Sequence, residues 1–481
     1  MAERGKHEPH FLKIDSRSDD KLNLKTTNPP SCEKAIVVGA GIAGLLAARA
    51  VADHFSQVTV LDRDVLPRSA IPRAGVPQGY HLHALLPRGL QMIEAFFPGL
   101  SVEMQIAGAT AFDVGNDIAW LTPQGWGVQT NAGLPGLSST RSLLEYTIRR
   151  RVEALVNVYI RQSADVTALL RANSGEINGV CIRPRAEEIE LSNEALTADL
   201  VVIASGRHTT IQKWFTGVGL EFPETTVLDA HIGYASRLYR RNESEPRDWQ
   251  ALILQPAPPR FVRGGIMFPM EGNRWLVTLS GGDGDHPPTD EAGFLEFARS
   301  LRSPDLYHAI RDLEPLSSIR GYRGTENRRS NVETIGYWPE GLVMIGDALC
   351  SFNPVYGQGM TTAALEAAAL GQLLHEAAHP SRVGRCFQGE VGRILRSPWT
   401  LATSADLRFS SVGVRPGFVA RIMHAYVDRV LRLGTVDPRA RRRFLEVQGM
   451  MREVSAILRP DMLWRVIRTQ ISPFQNKWSS A

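Results

Sequence analysis

Short apolar runs closed by glycine recur through the first two thirds of the chain. Residues 35–38 form one such run, β-branched and ending at Gly39. That pattern predicts a strand buried on both faces. Residues 45–55 then predict a helix, and residues 57–61 a second strand that closes on Asp62. Strand, glycine turn, helix and strand together fill about thirty residues, the length of one βαβ unit. Residues 67–89 read as loop, with Pro67, Pro72, Gly75, Pro77 and Gly79. His81 and His83 follow at i and i+2, the spacing of one strand face. A helix is expected at 90–97, and none at 110–138, where Gly, Trp and Pro dominate. Residues 140–156 predict a helix capped by Thr140 or Ser139.

Residues 200–204 are a further buried strand, ending at Ser205-Gly206. The texture changes over 216–334. There Phe268-Pro-Met270 and Trp275-Leu-Val-Thr-Leu-Ser280 flank Glu271-Gly-Asn273, a hairpin signal. A mainly antiparallel sheet is expected for that region. Residues 342–345 predict another buried strand, 361–378 an alanine-rich helix, and 384–470 mostly helix rich in arginine. Residues 1–31, polar and without periodicity, are expected to be a flexible leader.

The 481 residues have room for about three structural units. A composition of 43% hydrophobic and 22% charged residues is that of a globular protein. No charge-free apolar stretch is long enough to predict a membrane-spanning helix, and the first residues lack a secretory apolar core. Cys32, Cys181, Cys350 and Cys386 are too scattered for a disulfide framework or a zinc site. A reducing, cytoplasmic setting is therefore expected, with no metal. The net charge of +4 gives a nucleic-acid role little support. Of the 54 basic residues only seven are lysine, and none lies between Lys34 and Lys213.

Gly39-Ala-Gly41-Ile42-Ala43-Gly44 is a GxGxxG turn between a predicted strand and helix. The first glycine permits the tight turn, the second lets backbone approach a pyrophosphate, and the third lets helix and strand pack closely. The helix N-terminus offers free N–H groups and the positive end of its dipole. Asp62, 23 residues after Gly39, stands where a carboxylate meets a ribose hydroxyl. This context predicts dinucleotide binding, with NAD and FAD both open. A second turn, Gly346-Asp347 followed by Asn353-Pro354-Val-Tyr-Gly357-Gln358-Gly359-Met360, again joins a buried strand to a helix. Asp347 would take ribose-type hydroxyls, and Gly357 and Gly359 would let N–H groups face a ligand. Two such sites about 300 residues apart predict one long cofactor spanning both.

The pairing of these two motifs, in this order and with this gap, resembles the single-component FAD-dependent monooxygenases of the aromatic-hydroxylase type (group A). The resemblance covers residues 34–380. Gly75-Val-Pro-Gln-Gly79…His81-Leu-His83 and Phe352-Asn-Pro-Val-Tyr-Gly-Gln-Gly-Met360 most resemble the bacterial branch related to squalene epoxidase and the polyether epoxidases. The resemblance implies an α/β fold: a Rossmann-like FAD-binding domain of the GR2/PHBH type, with an inserted antiparallel substrate sheet and a helical C-terminal region. Its segments would be 32–110, 139–215 and 335–380 for FAD, 111–138 and 216–334 for substrate, and 381–481 for the helical tail.

By the same resemblance Gly39, Gly41, Ile42, Ala43 and Gly44 hold the pyrophosphate, and Asp62 and Arg63 the adenosine ribose. Arg141 lies near FAD, Gly346 and Asp347 hold the ribitol, and Pro354, Gly357, Gln358, Gly359 and Met360 line the flavin ring. The family's middle motif has Asp where this chain has Ser205, and Lys213 stands where an arginine is common. Reduction by NADPH or NADH is implied, directly or through a partner flavin reductase. One oxygen atom from O2 would pass, through a flavin C4a-hydroperoxide, to an apolar polyketide, terpenoid or aromatic intermediate. Alkene epoxidation or hydroxylation is the expected reaction. The protein need supply no nucleophile; His81 and His83 are the flavin-proximal candidates, against a simple packing role.

Rival readings are an FAD-dependent reductase of isoprenoid double bonds and a non-catalytic flavoprotein. A halogenase is disfavoured, because no two tryptophans lie two apart and the lysine gap removes the catalytic lysine. Tyr234, Tyr239, Phe261, Phe268 and Trp275 read as core or as the wall of an apolar pocket. Asp283-Gly-Asp285 reads as a solvated loop and Cys350 as a small buried residue. The run Arg439-Ala-Arg-Arg-Arg443 reads as a solvated helix face, with peripheral membrane contact as the second reading.

Overall fold

The computed structural model describes residues 32–184, 193–207, 210–242 and 247–468. The leader expected at 1–31 lies outside the described residues. Five strands form one all-parallel sheet: β1 (Cys32–Val38), β2 (Phe55–Leu61), β3 (Val158–Arg161), β4 (Leu200–Ile203) and β5 (Leu342–Met344). Their order is β5-β4-β1-β2-β3. All four residues of β4 are fully buried, as are Val37, Val58 and Val60. Burial on both faces is why residues 35–38, β4 and β5 read as unbroken apolar runs, whereas β2 and the edge strand β3 carry polar or exposed positions.

The helix after the glycine turn, α1 (Ile42–Ala52), starts and stops three residues earlier than predicted. Phe55, expected to end that helix, opens β2 instead and is buried in the sheet. Helix α2 (Arg141–Glu153) is capped by Thr140, whose hydroxyl accepts from Leu143 N. Helix α3 (Gly359–Glu376) begins two residues before its predicted start, so Gly359 and Met360 fall in its first turn. Residues 110–138, as expected, hold no helix. A three-stranded sheet of Ala164–Arg171, Ile177–Pro184 and Glu194–Thr197 has no counterpart in the sequence reading.

A seven-stranded sheet runs Arg320–Tyr322, Gly233–Arg240, Arg274–Gly281, Arg263–Met270, Ala251–Leu254, Ile118–Thr122 and Gly125–Trp126. It is antiparallel except where Ala251–Leu254 meets Ile118–Thr122. The predicted hairpin is present, with Met270 opposite Arg274. Strand alternation divides the aromatic residues between the two faces. Tyr239 and Trp275 pack with Met267, Val277 and Leu279 against the helices Glu291–Arg299 and Asp305–Ile310. Phe261 is exposed. Only Tyr234 and Phe268 of that set face the interior cavity described below.

The remainder is helical, as expected: α4 (Val383–Asp406), α5 (Phe418–Leu433), α6 (Pro438–Gln448) and α7 (Pro460–Arg468). Val430 and Leu433 of α5 pack on Ala440 of α6 and Met462 of α7. Among the described residues no helix is long and apolar enough to cross a membrane.

Candidate active site

The site begins at the end of β1. Gly39 has φ +106°, and a Cβ there would lie 2.5 Å from the Ala204 carbonyl oxygen. A Cβ on Gly44 would lie 1.7 Å from the Gly39 oxygen, so glycine is required for α1 to sit on the turn. Gly41 is the opposite case. Its Cβ position meets nothing nearer than an Arg73 nitrogen at 4.0 Å, and it caps α1 without any side-chain hydrogen bond. The first-turn amides and the dipole of α1 therefore face open space.

The second turn folds back onto the first. Gly346 has φ +63°, and a Cβ there would lie 2.5 Å from the Ala43 methyl. Its N–H donates to Glu366 on α3 at 2.6 Å. Glu366 is fully buried, and burial pushes its carboxyl up to about 8, partly offset by the Gly346 N–H. Gly359 brings the start of α3 close to Asp347, whose Oδ1 lies 3.8 Å from the Gly359 Cβ position.

Both turns open into one cavity of about 840 Å³. Gly39, Gly41, Ile42, Ala43, Asp62, Arg63 and Arg141 line it, as do Gly346, Asp347, Pro354, Gly357, Gln358, Gly359, Met360, His81 and His83. Gly44, whose part is helix packing, and Cys350, which is buried elsewhere, do not. Two polar side chains on this wall lack partners: neither amide atom of buried Gln358 is hydrogen-bonded, nor is Ser205 Oγ. Buried polar atoms are nearly always satisfied. Orphans here, beside two glycine turns, suit a long ligand with many polar atoms.

Asp62 reaches the cavity, but its carboxylate is already engaged. It accepts from Ala40 N at 2.7 Å and Asp64 N at 2.9 Å, and Arg73 lies at 3.2 Å. Arg73 also pairs with Asp64 at 2.8 Å and Glu145 at 2.7 Å, and Glu145 pairs with Arg141 at 3.3 Å. Arg73 and Glu145 escaped the sequence reading. The signal for Glu145 was its i,i+4 spacing from Arg141; Arg73 had none beyond its proline- and glycine-rich loop. Arg63 is exposed at the rim, and Lys213 also lines the cavity.

His81 and His83 are not on a strand. They lie between a turn of 3₁₀ helix, Pro77–Tyr80, and the two-residue strand Ala84–Leu85. The i,i+2 spacing alone could not distinguish a loop from a strand. His81 Nδ1 is 2.7 Å from Ser236 Oγ, which is 2.6 Å from Thr278 Oγ1. The His81 ring lies beside Tyr234 and Tyr322. His83 Nδ1 donates to the His81 carbonyl at 3.0 Å. Burial pushes His81 down to about 4; burial and Arg141 push His83 to about 3. Both imidazoles are neutral at pH 7.

The lining drawn from the seven-stranded sheet and the C-terminal helices is largely apolar, with Ser404, Arg408 and His424 among its polar members. Ile266 and Phe268 of the seven-stranded sheet form one side, with Thr278 and Ser280 beside them. Val427, Leu431 and Phe444 from α5 and α6 form the other, so the C-terminal helices complete the enclosure. Asp283 accepts from Ser410 and Ser411 N, and Asp285 pairs with Arg263 at 2.6 Å, so both acids of that loop serve as structural ties. No cluster of three or more His, Cys, Asp or Glu among the described residues could hold a metal.

The profile of a protein family described as "FAD binding domain" matches residues 33–383. "Protein Rv3254" of Mycobacterium tuberculosis is 33% identical over 395 residues, covering 80% of this chain and 82% of its own length. "Squalene epoxidase 1" of Arabidopsis thaliana is 24% identical over 342 residues, which cover 70% of this chain and 59% of that protein. Among solved structures, the flavin-dependent brominase Bmp2 shares the fold at TM-score 0.61 and 15% identity, covering 86% of this chain and 92% of its own. Pseudomonas aeruginosa PqsL, solved with 2-aminobenzoylacetate, shares it at TM-score 0.58 and 17% identity, covering 79% and 98%.

Proposed function

Since the chain belongs to the FAD-binding-domain family, we propose that it is an FAD-dependent monooxygenase acting on an apolar biosynthetic intermediate. One observation carries this reading. Two glycine turns some 300 residues apart in sequence meet at Ala43 and Gly346, and both line one cavity whose remaining wall is largely apolar. FAD, when bound, supplies the redox chemistry and the activation of O2.

The chain's own residues bind, orient and exclude water. The N-terminus of α1, with Gly39, Gly41, Ile42 and Ala43, would hold the pyrophosphate. Asp62, Arg63 and Arg141 would flank the adenosine half, and Gly346 and Asp347 the ribitol. Residues 354–360 would line the ring, where Gln358 offers an unsatisfied amide. Neutral His81 and His83 add no charge near that region. Ile266, Phe268, Leu431 and Phe444 would keep the reacting atoms dry.

An alkene is the favoured target and epoxidation the favoured outcome, a reading supported by the similarity to a protein named squalene epoxidase. Hydroxylation of an aromatic, polyketide or terpenoid substrate uses the same geometry. Electrons would come from NADPH or NADH, or through a partner reductase; Ser205 in place of the family's aspartate supports testing both routes. Exposed apolar residues on α5 and α7 support peripheral contact with a membrane that stores such substrates.

The test is anaerobic. Flavin-loaded protein is mixed with NADPH, then NADH, and the visible flavin band is followed before and after air is admitted. Bleaching and reoxidation, followed by oxygen incorporation into alkenes or phenols, is the expected result. A flavin that bleaches only when a separate reductase is added assigns the partner route. Saturation of an alkene without oxygen uptake would replace this reading with an isoprenoid-type reductase. Protein that binds no FAD would overturn it.

A further inference from the structure

The wall of the cavity at residues 353–358 is a loop, and its shape is set from two sides. On one side Tyr234 of the seven-stranded sheet donates to Asn353 Oδ1 and accepts from Val355 N at 3.1 Å. On the other side stands Asp406, the last residue of α4. The Tyr356 hydroxyl donates to Asp406 Oδ1. Asn327 Nδ2 donates to Asp406 Oδ2 at 2.5 Å, and Asn327 Oδ1 in turn accepts from Asn353 N at 2.9 Å. One carboxylate thus braces the loop at both Asn353 and Tyr356.

Asp406 is fully buried. Among the described residues no Lys, Arg or His pairs with it; its partners are a hydroxyl and an amide. Burial raises this carboxyl to about 7, and a buried carboxyl without a cationic partner is a poor stabiliser of the fold. What it supplies is geometry: it accepts one hydrogen bond from Tyr356 on the loop and a second from Asn327, which in turn holds Asn353 N. Asp406 also lies beyond the family match, which ends at residue 383. The helical tail therefore reaches back into the site that the matched segment builds.

We propose that Asp406 is a positioning residue for the flavin-facing loop, and that the C-terminal helices complete the cofactor site through it. The proposal rests on the flavin reading for its consequence, but not for its geometry.

Two variants of the full chain test it, Asp406→Asn and Tyr356→Phe, with the double variant. The first readout is FAD affinity, by titration of flavin into apoprotein with flavin fluorescence. The second is amide hydrogen exchange of residues 353–357 without flavin. Each single variant is expected to weaken FAD about tenfold, as for loss of one buried hydrogen bond. The double variant is expected to be little worse than Asp406→Asn alone, because Tyr356→Phe removes only one of the two bonds that Asp406 accepts. Exchange at Val355 to Gly357 should rise while the melting temperature stays within a few degrees. If Asp406→Asn fails to fold, Tyr356→Phe decides alone. Unchanged exchange and unchanged FAD affinity in a folded variant would overturn the proposal. Wild-type protein that binds no FAD would sink the flavin reading, and hydrogen exchange would still decide whether Asp406 sets the loop.

Discussion

Gly39 and Gly41 are two residues apart in one motif, yet the structure gives them different work. At Gly39 a methyl would collide with the Ala204 carbonyl, and φ of +106° is unfavourable for any L side chain. Gly39→Ala should therefore cost roughly 2–4 kcal/mol of stability, read by urea unfolding. At Gly41 the methyl enters open space, 4.0 Å from Arg73, and the backbone is extended at φ −76°, ψ −179°. Gly41→Ala should leave the melting temperature nearly unchanged and weaken FAD by roughly tenfold to a hundredfold, the penalty for a methyl forced into a packed contact. A Gly41→Ala protein with wild-type flavin affinity would remove the pyrophosphate from this turn. The sequence made the motif legible because the three glycines, the strand, the helix and Asp62 are all local. It hid Arg73, whose three carboxylate partners come from the segment just after β2 and from α2. Only tertiary structure joins them.

The turn at the end of β5 and the helix α3 are tied by one bond, Gly346 N to Glu366. Glu366 sits two turns into α3, fully buried, and its Oε1 has no partner. Its folded carboxyl is raised to about 8, against an ordinary 4.5. The folded protein thus holds this proton more tightly than the unfolded chain does. Stability from this group is full below pH 4.5 and is lost as pH rises toward 8, at up to about 1.4 kcal/mol per pH unit. Glu366→Gln keeps an acceptor for Gly346 and removes the titration. Melting temperatures from pH 5 to 8, compared between wild type and variant, should show a shallower decline in the variant. Parallel slopes would show that Glu366 is ionised throughout. The helix itself was plain from its alanine-rich run, but the tie was not, because a lone glutamate on a helix reads as surface. Likewise the His81–His83 pair looked like a strand from spacing alone, and the sheet at 164–197 gave no recognised pattern. Such segments take their form from what covers them rather than from their own period.

The charge of the molecule is unevenly shared. Residues 407–468 hold thirteen arginines against five carboxylates, a surplus of eight in a chain whose total is +4. The same segment exposes Val414, Phe418, Val419, Ile422, Trp464 and Ile467, each more than half accessible. Phe418 and Ile422 are one turn apart on the outer side of α5, while Met423, Val427 and Leu431 on its inner side line the cavity. One helix therefore separates the apolar interior from an apolar, basic exterior. The peripheral membrane contact proposed above would use this surface, where each arginine near anionic lipid contributes about 1 kcal/mol. Flavin-loaded protein should sediment with phosphatidylglycerol-containing vesicles and not with neutral phosphatidylcholine ones, and salt should release it. Phe418→Ser with Ile422→Ser should cut that binding at least tenfold, since both side chains are already solvated in free protein and their loss leaves its melting temperature unchanged. Binding that survives the double substitution would shift the role to the arginines alone. If the protein elutes as a dimer that these two substitutions break apart, and vesicles capture neither form, the exposed face is where two copies meet and the substrate reaches the cavity from water.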